Sequence, residues 1–231
     1  APADAVLADW FRGHRFAGSG DRRAIRETVY ADFRAGALRR WAVQTAGGDP
    51  DSPRLRTIAG LALETPGEVD SLFDGAGYGP SPLSVDEQAV AETIRKLDPA
   101  SAPDHVNGNC PADLYALFQD QWGDAAGDEL TALNQTAPVD LRVNALRATR
   151  EEAQARLAAD GYAADPTPFS LSGLRGTARG NFQQLGAYRE GMIEPQDESS
   201  QIVTMLVGVT ADLRVIDYCA GAGGKTLALA D

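Results

Sequence analysis

Apolar residues recur at helical spacing through the first 134 positions. Val6, Leu7, Trp10 and Phe11 share one helix face. Gly18-Ser19-Gly20-Asp21 breaks that pattern and supplies a cap. Ile25, Val29, Tyr30 and Phe33 line a second helix, and Leu38, Trp41 and Ala42 continue the pattern past Gly36. Leu55, Ile58, Leu61 and Ala62 predict a short helix that ends near Pro66. The Gly- and Pro-rich stretch 75–82 reads as loop. Ser84-Val85-Asp86-Glu87 is a capping box, in which hydroxyl and carboxylate satisfy free amides at a helix start. It opens a helix through Ala91, Ile94 and Leu97. Residues 98–111 read as loop, and Leu114, Leu117, Phe118 and Trp122 form another amphipathic run.

The period changes near Ala137-Pro138. Val139 to Asn144 alternates apolar and polar, the pattern of a half-buried strand. Thr149-Arg150-Glu151-Glu152 is a second capping box, opening a helix closed by Gly161. Residues 167–171 and 174–177 read as short strands, and 201–209 as a helix. This order predicts a small α+β unit over 135–210, after an all-helical domain over 1–134. Leu213 to Cys219 then reads as a buried strand, Ala220 to Gly224 as a small-residue turn, and Lys225 to Ala230 as a helix start. Strand, glycine turn and helix form the first unit of a doubly wound α/β domain. One such unit cannot make a sheet, so the domain opened at 211–231 is expected to continue past Asp231. Position 1 is Ala, and the expectation is that the natural start lies upstream.

Composition narrows the class without fixing it. The hydrophobic fraction of 43% and charged fraction of 23% are those of an ordinary globular chain. No apolar run is long enough to span a bilayer, and the N-terminus lacks a basic start followed by an apolar block, so neither membrane span nor signal peptide is read. Cys110 and Cys219 do not make a disulfide framework, and a reducing, cytoplasmic compartment is expected. His105 with Cys110 lacks further ligands, so no metal site is expected. The net charge of −12 speaks against nucleic acid until its distribution is read. Residues 1–41 hold eight arginines (12, 15, 22, 23, 26, 34, 39 and 40) against five acids. These are either solvated helix faces or an RNA-facing strip, with Arg22, Arg23 and Arg26 the candidate contacts.

The glycine turn carries the chemistry. Gly221, Gly223 and Gly224 permit positive φ and let a ligand approach the backbone, while free amides at the following helix start face a negative group. A nucleotide P-loop needs glycine five positions before Gly224, where Cys219 stands. A dinucleotide fingerprint needs glycine at 226, which is Thr. A tight turn without ligand is the third reading. Cys219, at the end of the expected strand, reads as a small apolar residue rather than a nucleophile.

Asp217-Tyr218-Cys219-Ala220-Gly221-Ala222-Gly223-Gly224-Lys225-Thr226 resembles motif I of the RsmB/Sun family of RNA cytosine-C5 methyltransferases, D-x-C-A-A-P-G-G-K-T. Gly221-Ala222 replaces the commoner Ala-Pro. Gly191 to Gln201 resembles the family's G-x-x-x-x-Q-D-x-S-S-Q segment, and Pro138 to Asn144 its P-x-x-L-R-V-N. The resemblance covers 136–231. It implies S-adenosylmethionine as cofactor, with Cys219, Ala220, Gly221, Ala222, Gly223, Gly224 and Lys225 along its methionine end. It implies a NusB-like helical RNA-binding domain, a small α+β RNA-recognition subdomain and the start of a Rossmann-like catalytic domain.

The implied partner is RNA, 16S ribosomal RNA before transfer RNA, bound by a monomer. Arg142 and Asn144 are candidates for RNA or domain-junction contacts. Gln196, Asp197, Ser199 and Gln201 are expected to cap the following helix and brace the junction. In the family a cysteine thiolate adds to C6 of cytosine, raising electron density at C5 for methyl transfer. Those catalytic cysteines are expected beyond Asp231, so these residues alone are expected to be inactive and to bind cofactor weakly. The alternative is a non-catalytic RNA-binding or assembly module with a vestigial methyltransferase part.

Overall fold

The computed structural model describes residues 1–76, 79–177 and 182–230. Contacts divide it into two compact units, Ala1–Gln135 and Thr136–Asp231. The architecture is α+β: a helical unit, and a unit of helices on a small antiparallel sheet. Among the described residues no helix is long and apolar enough to cross a membrane.

The helical unit contains α1 (Ala3–Gly13), α2 (Ser19–Thr45), α3 (Pro53–Glu64), α4 (Val69–Leu72), α5 (Val85–Ile94), α6 (Asp104–Asn107), α7 (Ala112–Trp122) and α8 (Ala126–Leu133). Asp21 caps α2, its Oδ2 accepting the Gly18 amide at 2.9 Å. The two apolar runs either side of Gly36 form one helix, bent where Ala35 leaves helical geometry at φ −132° and ψ 18°. Asn109 holds the bend. Its Nδ2 donates to Phe33 O at 2.8 Å and its Oδ1 accepts the Ala37 amide at 2.9 Å. Those two backbone groups would bond each other in a straight helix, so the amide side chain is spliced into the ladder.

Ser84 and Glu87 close the expected capping box at α5. Val43, Ile58, Val69 and Ile94 make the centre of the core, with no exposed surface. The stretch 98–111, read as loop, contains a 3₁₀ turn at Pro99–Ser101 as well as α6. A four-residue helix has no period to read. Gly77 and Tyr78, within the loop expected at 75–82, lie outside the described residues.

The second unit runs β1 (Val139–Val143), α9 (Arg150–Ala159), β2 (Ala164–Pro166), β3 (Gly173–Gly176), α10 (Gly186–Arg189), β4 (Ile193–Pro195), α11 (Glu198–Val207) and α12 (Gly224–Ala230). The strand order is β2-β3-β1-β4, every pair antiparallel. A βαββαβ chain with this order is the split βαβ, or ferredoxin-like, arrangement. Thr149 and Glu152 close their capping box, so α9 starts where the sequence places it. Leu141, Leu157, Leu174 and Ile193 fill the apolar side of the sheet.

Three expectations need correction. β1 is buried on both faces rather than one, because the face carrying Asp140 and Arg142 is covered as well. The strand expected at 167–171 is a turn, and the strand lies three residues earlier as β2. The amides of Phe169 and Ser170 are taken by the Glu198 carboxylate, at 2.7 and 2.8 Å, so they do not enter a ladder. The strand expected over Leu213–Cys219 does not form; Ile216 is 87% and Tyr218 95% exposed. A parallel strand takes its hydrogen bonds from neighbours, and no other strand lies among the described residues after Pro195. Conversely, β4 gave no signal, being three residues ending in a proline at a sheet edge.

Candidate functional site at the glycine turn

The site is assembled from the start of α11 outward. Asp140 on β1 faces Arg175 on β3 in register, and its carboxylate accepts the guanidinium at two points, 2.7 and 2.9 Å. Such a bidentate pair fixes geometry as well as charge. Asp140 also accepts the Glu198 amide at 3.2 Å, which anchors the first turn of α11. Glu198 is nearly buried. Burial pushes its carboxyl up, but the amides of Phe169 and Ser170, the Thr167 hydroxyl and Arg175 together hold it below the usual carboxylate range. One turn further on, Gln201 donates to Gln196 O at 2.8 Å and accepts from the Ser170 hydroxyl at 2.7 Å. Asp197 caps the helix by accepting the Ser199 amide at 2.9 Å. The Ser199 hydroxyl is the main reason its carboxyl lies below the usual range, with the Ser199 and Ser200 amides adding to it.

Gln196 brings this brace to the glycine turn. It is nearly buried, and its Oε1 has no partner among the described residues. Its Nε2 lies 3.7 Å from where a Cβ on Gly224 would stand. Gln196, Asp197 and Ser200 line one side of a cavity of about 250 Å³, and Asp217, Cys219, Ala220, Gly224 and Lys225 line the other. Thr226 donates to Asp217 at 2.7 Å and Gly223 N–H to Ala220 O at 2.8 Å, closing the loop between them. Gly221 and Gly223 take φ of 54° and 84°, a region that disfavours any residue with a Cβ. Of the seven expected cofactor residues, four line the cavity. Gly221, Ala222 and Gly223 form the turn itself and do not line it. Cys219 is exposed rather than packed as a small apolar group, because the strand that would bury it is not formed.

The arginines separate into two kinds. Arg22 and Arg26 lie over the Phe11 ring at 5.4 and 5.2 Å, and Arg23 is exposed and paired with Glu27 at 2.9 Å. Arg39, grouped with the basic strip, is buried and held by Glu64 at 2.8 Å. Arg142, expected at an RNA or junction contact, is 3% exposed and pairs across strands with Glu194 at 2.9 Å. It lies on the covered face of β1 and lines a cavity together with Gln201 and Thr204. Asn144 is half-buried; its Oδ1 accepts the Leu146 amide at 3.0 Å, turning the chain after β1. Sequence reasoning missed Asp140, Arg175, Glu198 and Ser170. Opposite charges at alternate positions were visible, but the register that joins them was not.

Residues 110–182 match the family described as Methyltr_RsmF/B-like, ferredoxin-like domain. The chain is 34% identical over 120 residues to the probable ribosomal RNA small subunit methyltransferase B of Synechocystis sp. (strain ATCC 27184 / PCC 6803 / Kazusa), covering 51% of this chain and 27% of that protein. It is 32% identical over 115 residues to the ribosomal RNA small subunit methyltransferase B of Xanthomonas campestris pv. campestris, covering 50% and 26%. For the probable enzyme of that name from Bacillus subtilis (strain 168), the figures are 29% over 144 residues, 62% and 30%. The chain thus spans less than a third of the length of these curated relatives. The fold is similar to that in the "Crystal Structure of PH0851", with a TM-score of 0.65 at 20% identity over 99% of this chain and 56% of that one. These likenesses support the resemblance to the RsmB/Sun family that the motifs carry.

Proposed function

We propose that the protein carrying this chain is an S-adenosylmethionine-dependent RNA cytosine-C5 methyltransferase acting on 16S ribosomal RNA. The observation that supports it most is the meeting of two separate motifs. The Gln196–Gln201 segment, locked to the sheet, puts a buried carbonyl oxygen without a partner beside the glycine turn. A ligand with both charges fits the donor set: Asp197 and Asp217 suit an ammonium group, and Lys225 suits a carboxylate. Cys219, Ala220 and Gly224 would hold the cofactor with them, on the turn shaped by Gly221, Ala222 and Gly223. When bound, S-adenosylmethionine supplies an activated methyl group. The residues of this chain would bind and orient it.

On the same reading the helical unit is a NusB-like RNA-binding domain, with Arg22, Arg23 and Arg26 facing RNA. Residues 135–210 are the RNA-recognition subdomain, with Asn144 at its rim, and 211–231 begin a Rossmann-like domain. The protein works as a cytoplasmic monomer. The names of the curated relatives favour this reading over a non-catalytic RNA-binding module. The test is transfer of a labelled methyl group to small-subunit ribosomal RNA by the whole protein, with the product nucleoside identified. Label in 5-methylcytosine is expected. Label in another nucleoside, or none, defeats the proposal. Gln196→Ala should weaken cofactor binding measured by calorimetry; unchanged affinity would remove Gln196 from the site.

A further inference from the structure

The turn between α1 and α2 gathers aromatic rings and arginines in a way the glycine turn does not account for. Trp10 and His14 stack face to face, with centroids 3.8 Å apart and planes at 8°. Phe16 stands edge-on to His14 at 5.7 Å and is 81% exposed. Trp10 is 39% exposed and meets Phe11 edge-on at 5.4 Å. Phe11 is the buried floor of an open depression walled by Arg12, Arg15, Arg22 and Arg26.

The charges there are unbalanced. Arg12 is taken up by Asp9 at 2.5 Å. Arg15, Arg22 and Arg26 have no carboxylate partner among the described residues. Arg22 donates to a backbone carbonyl, Ala17 O, at 2.9 Å, and both Arg22 and Arg26 lie on the Phe11 face. The nearby acids are spent elsewhere. Asp4 accepts the Tyr30 hydroxyl at 2.7 Å, Asp21 caps α2 and Glu27 pairs with Arg23. In a chain of net charge −12, three guanidinium groups with no carboxylate to neutralise them beside an exposed aromatic stack form a local exception.

We infer that this corner binds single-stranded RNA. Backbone phosphates would sit on Arg15, Arg22 and Arg26, and unstacked bases on the Trp10–His14 pair and on Phe16. Arginines that track phosphates, flanked by rings that stack bases, make the chemistry of single-strand recognition. A duplex keeps its base faces covered and cannot use the rings. The inference rests on the RNA-acting reading above and assigns it a contact point remote in sequence from the glycine turn.

Fluorescence anisotropy of the full chain with a labelled single-stranded oligouridylate of about twelve nucleotides, and with a duplex of equal length, tests it. The single strand should bind more tightly. Arg15→Ala, Arg22→Ala and Arg26→Ala should each flatten the dependence of log affinity on log salt by about 0.7. Trp10→Ala and Phe16→Ala should weaken binding by about fivefold or more while leaving that slope unchanged. Phe16 is so exposed that its loss leaves folding intact, and Trp10→Phe should recover most of the affinity. Arg95→Ala, paired with Asp70 and Glu92 in the acidic stretch, should change neither quantity. Wild-type affinity in both ring variants, or tighter binding of the duplex, overturns the inference. Methyl transfer by the unmodified whole protein, measured alongside, reports on the enzyme reading independently.

Discussion

Leu141 and Ile216 belong to segments of similar apolar content, yet the first has no exposed surface and the second is 87% exposed. The segment around Leu141 has β3 on one side, β4 on the other, an apolar core behind and a polar brace in front. The segment around Ile216 has no strand beside it among the described residues. Apolar pattern states what a segment can bury; the partners within reach decide whether it does. The same contrast divides the polar groups. Asp140, Glu198 and Gln201 are buried and matched, whereas Asp217 and Thr226 satisfy each other on an exposed turn.

The contrast can be broken most decisively at its two ends. Leu141→Ala should cost about 2–5 kcal/mol in urea unfolding, since it opens a cavity in a closed core. Ile216→Ala should stay within about 0.5 kcal/mol, and a large loss there would show a covered segment. Next comes Asp140→Ala. It strips Arg175 and the Glu198 amide of their acceptor and should cost about 2–3 kcal/mol, the partial exposure of Arg175 moderating the loss. A cost near zero would mean that the brace contributes position but not stability.

Glu198 sharpens the comparison through pH. Its carboxyl lies below the ordinary range in the folded chain. The ionised form therefore adds stability above the unfolded carboxyl pKa, and that stability is lost as pH falls through the folded value. The stability gap between wild type and Glu198→Gln should be full at neutral pH and shrink as pH falls below the unfolded glutamate value of about 4.3. A gap that does not vary with pH would assign the effect to shape rather than charge. A smaller loss than at Asp140 is expected for Thr149→Ala, about 1 kcal/mol from the lost cap of α9.

Features local in sequence were legible, and features made by long-range pairing were not. Both capping boxes are carried by four adjacent residues, and both form where the pattern places them. The glycines at 221 and 223 announce a backbone that only they adopt easily, and they adopt it. The bend in α2 was invisible because Asn109 lies 76 positions from the carbonyl it satisfies. β2 was misplaced because the carboxylate that claims the neighbouring amides sits 28 residues beyond Ser170. Arg39 reads with the basic strip because a buried ion pair and an exposed guanidinium look alike until the packing is known. Four of the expected cofactor residues were readable from motif I and the brace of Gln196, Asp197, Ser199 and Gln201 from the segment before it, but the brace's partners Asp140, Arg175 and Ser170 needed the sheet.

Glu198 and Gln201 lie on one face of α11, and both are gripped from the sheet side. The helix is therefore fixed in phase as well as in place. A single residue inserted between Glu198 and Gln201 would rotate Gln201 and every later position by about 100° relative to Glu198, so the two grips could not both be kept. The heading on which the chain leaves at Gly208, where it turns left-handed with φ 63°, is thus set several residues upstream. Spacing within this segment acts as a mechanical specification, and one-residue insertions there should be tolerated far less than substitutions at Ser200.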